Sequence, residues 1–159
     1  MYFKNFDVRW SDIDANKHLG NSSYIDFMSH TRMSFFIEAG LDLDTMQKMG
    51  LGPVVFYEHI HYFKEVMLGK TLRVSLEVSG FSEDGQFIIF EHNFYDEKGK
   101  NLAYSEMLFS WIDLATRKLG RVPGEMLEKI RSFPRSANFK ILTKEDTRKH
   151  GRLPVDLSE

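Results

Sequence analysis

Two carboxylates, two amides and an imidazole crowd one short stretch, Trp10-Ser11-Asp12-Ile13-Asp14-Ala15-Asn16-Lys17-His18-Leu19-Gly20-Asn21. A helical pattern begins directly after it. A carboxylate at a helix N-terminus can stay ionised, and the first helical N–H groups lack internal partners and can polarise a carbonyl. Asp14, Asn16 and His18 are therefore the candidates for acid–base or nucleophilic work. The N–H groups of Asn21 and Ser22 are candidate donors to an oxyanion. Against this, acid-rich turns before helices commonly cap backbone groups, and for Asp14 taken alone that reading outweighs catalysis. Asp12 reads as a solvated or turn-forming acid.

These residues need elements to hold them. Tyr24, Phe27, Met28, Thr31, Phe35, Phe36 and Ala39 recur at three- and four-residue steps and share one face of a helix over Asn21–Ala39. Such a helix is roughly 28 Å long. Asn21, Ser22 and Ser23 are N-cap types, Ser23 with Asp26 fits a capping box, and Gly40 stops the helix. Tyr2–Trp10 reads as an opening strand. Leu41–Met49 makes one or two helical turns before Gly50 and Gly52.

From Val54 the period changes to two. Strands are predicted over Val54–Phe63, Thr71–Phe81, Gln86–Tyr95 and Asn101–Asp113, with hairpin turns at Glu83-Asp84-Gly85 and Asp96-Glu97-Lys98-Gly99. A short helix follows Pro123. Residues beyond Phe133 are polar and loosely patterned, with a short helix capped at Thr143 and a fraying end. The order is one strand, a long helix, then four strands in a meander. A five-stranded antiparallel sheet curled around one central helix satisfies it, an α+β fold.

Bulk composition narrows the function classes. A chain of 159 residues with 42 % apolar and 28 % charged residues is one ordinary globular domain. Aromatic residues reach 14 %, with 14 phenylalanines, which suits a sheet packed on a helix or a large apolar pocket. A net charge of −2 makes no case for nucleic acid. Absence of cysteine excludes disulfides and thiol catalysis. The N-terminal stretch has no signal-like apolar run, and no stretch approaches the about 18 apolar residues of a membrane span, so a cytoplasmic protein is expected.

Other side chains also have types and spacings that could do chemistry. His59 and His61 face one side of a strand and make half a metal site, with His92 as the third ligand to be sought. No acid or thiol cluster completes it, so no metal and no organic cofactor is assigned. Glu58, on the opposite face, reads as an exposed strand residue before a second site carboxylate. Arg117, Lys118 and Arg121 could meet phosphates but read first as a solvated turn.

The run Asp14-x-Asn16-x-His18-x-x-Asn21-x-x-Tyr24 resembles the D-x-N-x-H-x-x-N-x-x-Y run of plant-type acyl-ACP thioesterases. It is similar also to the H-V-N-N-x-x-Y run of bacterial long-chain acyl-CoA thioesterases. With the order of elements, Val8–Ile130 resembles the hotdog fold of the 4-hydroxybenzoyl-CoA thioesterase-like family. Val54–Tyr62 looks like that family's second strand, and Trp111–Lys118 like the end of its last. Gly20 stands where the family usually has Asn, and Phe63-Lys64-Glu65 replaces a more basic run.

The resemblance implies one hotdog domain over residues 1–132 with a partly irregular extension over 133–159. It places Asp14 at the catalytic aspartate, as nucleophile or general base, with Asn16 and His18 orienting water or the carboxylate. Asn21 and Ser22 would supply the oxyanion donors. The acyl group would lie between the long helix and the second strand, with Tyr24 and Phe27 on one wall and Val55, Phe56 and Tyr57 on the other. It implies hydrolysis of an acyl-CoA or acyl-ACP without cofactor, in a homodimer or homotetramer whose sites sit at the subunit boundary. The alternatives are a non-hydrolytic thioester-binding module and an enoyl-thioester hydratase.

Overall fold

The computed structural model of the chain describes residues 1–157. It contains strands β1 (Tyr2–Asp7), β2 (Leu51–Tyr62), β3 (Thr71–Ser82), β4 (Phe87–Tyr95), β5 (Asn101–Asp113) and β6 (Arg135–Leu142), with helices α1 (Asn21–Glu38), α2 (Leu43–Lys48), α3 (Gly124–Arg131) and α4 (Lys144–Arg148). The sheet runs β1-β3-β4-β5-β2, all antiparallel. Helix α1 lies along its inner face. This is the hotdog arrangement, with β1 and β2 at the two ends of the strand order.

Helix α1 buries the expected stripe: Tyr24, Phe27, Met28, Thr31, Phe35 and Phe36 are all covered, and Arg32 with them. Phe36 meets Phe90, Phe109, Trp111 and Phe133 at ring-centroid distances of 6.0, 5.7, 5.7 and 6.1 Å. Burying each such ring stabilises by about 1.5–3 kcal/mol, which clamps the C-terminal half of α1 to the sheet. Phe27 stacks on Phe6 of β1 at 4.5 Å and clamps the other half.

The N-terminus of α1 differs from the expectation. Gly20 is the N-cap, and no side chain caps the helix. Ser23 does not form a capping box with Asp26; its hydroxyl donates to the Asp12 carbonyl at 2.9 Å. The loop before the helix folds back close enough to capture that hydroxyl.

Strand β6 is the second difference, because the sheet has six strands. β6 runs parallel to β3, with Gly80 opposite Lys140 and Ser82 opposite Leu142. A Cβ on Gly80 would lie 2.5 Å from Leu142 Cδ2 and 2.8 Å from the Lys140 carbonyl, so only glycine admits this crossing. β6 is mostly exposed, so it lacks the alternation that would have marked it. Helix α4 follows, with Thr143 and Asp146 in a capping box. Residues 158 and 159, at the end expected to fray, lie outside the described residues.

A polar belt divides the apolar interior into two clusters. Arg32 of α1 lies 3.5 Å from Glu58 Oε1 and 3.4 Å from His92 Nε2. His92 Nδ1 is 2.7 Å from the Ser75 carbonyl and donates to it. Glu58 therefore faces the helix and is not an exposed strand residue, because β2 alternation puts it on the inner face with Ile60.

Burial, then the Arg32 charge, pulls His92 from its ordinary 6.5 down to about 3. Folded His92 stays neutral while the unfolded chain takes up its proton below about 6.5, so stability is full above that pH and falls as pH drops toward 3. Between pH 6.5 and 5 the parent should lose about 2 kcal/mol more than a His92→Gln variant. Urea unfolding across that range measures it, and parallel pH profiles would refute the buried neutral imidazole.

Candidate active site

The residues before α1 form a tight, well-tied turn. Asp14 N–H donates to the His18 carbonyl at 2.8 Å and Lys17 N–H to the Asp14 carbonyl at 3.0 Å. Lys17 takes a positive φ of 65° to close it. The turn is anchored outward, by Leu19 N–H to the Val66 carbonyl and Gly20 N–H to the Asp12 carbonyl, both 2.8 Å. Asp12 is an anchor as well. Arg9 donates to both of its oxygens, at 3.1 and 2.8 Å, and holds the carboxyl below the usual range.

Within this frame Asp14 uses one oxygen structurally. Its Oδ1 accepts from the N–H of Asn16 at 2.8 Å and of His18 at 3.2 Å. The capping role is thus real, yet it occupies a single oxygen and leaves Oδ2 with no hydrogen-bond partner among the described residues. Asn16 contributes its backbone here. The His18 imidazole turns away from Asp14, with Nε2 at 3.3 Å from Glu65 Oε2.

Asp14 abuts the mouth of α1. A Cβ on Gly20 would sit 3.8 Å from the Asp14 Cβ. Because Gly20 offers no capping side chain, the N–H groups of Asn21 and Ser22 have no acceptor among the described residues. A carboxylate oxygen and free helix-terminal donors therefore share one place, the pairing that acyl transfer requires.

They open into a shallow cleft of about 510 Å³. Asp14, His18, Asn21 and Tyr24 line one side, and Tyr62, Phe63, Lys64 and Glu65 the other. Tyr24 stands edge-on to Tyr62 and to Phe94, both at 5.0 Å. Burial pushes its phenol up to about 12, so it stays neutral and acts as a wall. On the other side of Asp14 a second depression is bounded by Trp10, Ile13, Lys17, Met67 and Leu68. Trp10 is 80 % exposed there.

Several expected site residues lie elsewhere within the chain. Phe27 is buried against Phe6, on the β1 side of the helix. Its ring belongs to the core, not to the cleft wall. Val55, Phe56 and Tyr57 sit five to seven residues up β2 from Tyr62, about 16–23 Å at strand spacing. A bulge between Val55 and Tyr57 breaks the alternation there. Phe56 contacts Phe87, and Tyr57 donates its hydroxyl to Glu106 on the outer face. The wall that faces Asp14 is instead Tyr62–Glu65, the last residue of β2 and the three that follow it, which no periodicity marks. Arg117, Lys118 and Arg121 follow β5 at the Leu51 end of β2, away from Asp14.

Known proteins share this fold. The model of the thioesterase-like superfamily matches residues 8–130. The chain belongs to that superfamily. The SAV2348 protein of Staphylococcus aureus, solved in complex with CoA, is 19 % identical with a TM-score of 0.77, over 98 % of this chain and 95 % of that one. A 1,4-dihydroxy-2-naphthoyl-CoA thioesterase from Synechocystis is 16 % identical with a TM-score of 0.73, over 82 % of this chain and 96 % of that one. A DHNA-CoA thioesterase from Staphylococcus aureus is 16 % identical with a TM-score of 0.74, over 82 % and 88 %. At these identities the likeness carries the hotdog fold. No curated protein matches the chain. Among the described residues no helix is long and apolar enough to cross a membrane.

Proposed function

We propose that this member of the superfamily is an acyl thioesterase that hydrolyses an acyl-CoA or acyl-ACP to a carboxylic acid and a free thiol. The observation that carries the reading is the free Asp14 oxygen beside the uncapped N–H groups of Asn21 and Ser22. The thioester carbonyl oxygen would point at those N–H groups. Asp14 would then either attack the carbonyl carbon, expel the thiolate and lose its acyl group to water, or take a proton from the attacking water. Thiolates leave readily, so no strong general acid is needed. His18, turned toward Glu65, does not pair with Asp14 as an acid–base couple, which favours hydrolysis over hydration of an enoyl thioester.

Free-thiol release from a panel of acyl-CoAs and acyl-ACPs tests this. Release supports hydrolysis. Binding without release would sustain the non-hydrolytic module, and hydration without release the hydratase.

The reading includes an even assembly. β2 is an edge with no second partner among the described residues, it exposes Val55, Phe56 and Tyr62, and open edges invite pairing. Two β2 edges joined about a twofold axis run antiparallel, so the Val55–Tyr57 end of one copy approaches the Tyr62 end of the other. The wall assigned to Val55, Phe56 and Tyr57 would then come from the second copy. Sedimentation of active protein at micromolar concentration should show a dimer or tetramer, and an active monomer would rule this out.

A further inference from the structure

The outer face of the sheet, opposite α1, carries a second cluster that the hydrolytic site does not use. His59 of β2 is directly opposite Glu106 of β5 in the strand register, which sets their Cβ atoms about 4.5–5.5 Å apart. The chain returns through α4, and His150 comes down on the same spot. Its ring stands edge-on to His59 at 4.3 Å between centroids. One ligand atom from each of His59, Glu106 and His150 lies within 4.8 Å of the others.

Two further observations favour a cation here. Tyr57 donates its hydroxyl to Glu106 Oε1 at 3.2 Å, which orients the carboxylate and leaves its second oxygen available. Such partners of metal-binding carboxylates fix their geometry. Across the sheet, Glu106 is also paired with Glu91, and Glu91 with Glu77. Like charges directly opposite one another are destabilising, and a divalent ion at the end of this row offsets them.

The sequence pairs His59 with His61 and looks to His92 for completion. The fold puts His92 on the inner face beside Arg32, and supplies Glu106 and His150 in its place. Two imidazole nitrogens and one carboxylate oxygen form a donor set suited to Zn²⁺ and its neighbours, with water as a fourth ligand.

We propose that His59, Glu106 and His150 bind one divalent transition-metal ion of the Zn²⁺ type and that the ion clasps the C-terminal helix onto the outer face of the sheet. Position supports the clasp. His59 and Glu106 belong to the sheet, whereas His150 follows α4, a five-residue helix with no buried residue of its own.

Calorimetric titration of the EDTA-stripped full chain with ZnCl₂ tests the site. One ion should bind per chain. His59→Gln and His150→Gln should each weaken binding more than about 100-fold, and Tyr57→Phe about 10-fold. His61→Gln, on the same strand face but outside the cluster, should stay within about threefold of the parent, a margin well inside the cost of losing even an outer-shell partner. All four variants alter partly or fully exposed side chains, and circular dichroism confirms their folding. Zn²⁺ should also slow proteolysis of residues 143–150 in the parent and not in His150→Gln. Absence of binding at 100 µM, an estimate of about the weakest useful site, would overturn the proposal. So would parent-like affinity in His150→Gln, or loss of binding in His61→Gln, which would point to the strand pair alone.

Discussion

Asp14→Asn should fold like the parent and lose about a thousandfold in kcat, within the range that a positioned acid–base group contributes. The fold survives because the amide keeps an Oδ1 that can accept from the N–H groups of Asn16 and His18, as the carboxylate does now at 2.8 and 3.2 Å. The turn is held besides by backbone bonds that the substitution does not touch. What disappears is the negative charge on the second oxygen, which neither attacks a carbonyl nor accepts a proton once it is an NH₂. Steady-state thiol release with circular dichroism on the same sample separates the two effects. A folded variant that kept more than about a tenth of the parent kcat would remove Asp14 from the mechanism.

Loss of Arg32 should cost as much stability as truncating a fully buried aromatic of the core. Its guanidinium is buried, lies 3.5 Å from Glu58 Oε1 and 3.4 Å from His92 Nε2, and donates to the Ser29 hydroxyl at 3.0 Å. Burial lowers the Arg32 pKa, and Glu58 opposes that shift. Glu58 Oε1 has no aligned hydrogen bond, so the arginine charge alone compensates it. Arg32→Met leaves that carboxylate uncompensated and should cost about 3–5 kcal/mol. Arg32→Met with Glu58→Met removes both charges and should regain most of the loss, since buried ion pairs replaced by apolar groups of similar volume are often neutral. Urea unfolding of both variants at pH 7 measures this. A single substitution costing under about 1 kcal/mol, or a double variant no better than the single, would show that the two residues are not coupled.

Local patterning determined much of this protein. The stripe Tyr24–Phe36 specified α1, because a three-to-four residue period admits one buried face. Alternation specified β3, β4 and β5 to within a residue or so, and the paired turn signals set their order. The run Asp14–Tyr24 located the polar turn that leads into α1, since Asp and Asn side chains close such turns on their own backbone.

Tertiary structure decided the rest, wherever a residue's role depends on a partner distant in sequence. β6 exists because Gly80 lets it approach β3, not because Arg135–Leu142 favours a strand. The N-terminus of α1 is left uncapped because the helix starts behind Gly20, which has no side chain to cap it, and Ser23, inside the first turn, donates to the Asp12 carbonyl of the folded-back loop. Phe27 joins the core because Phe6 reaches it from β1, and Tyr57 faces outward because β2 alternates after its bulge. Arg32 is buried and compensated because Glu58 and His92 arrive beside it on two separate strands. His150 meets His59 across 91 positions of chain, a contact that only the return through α4 brings about.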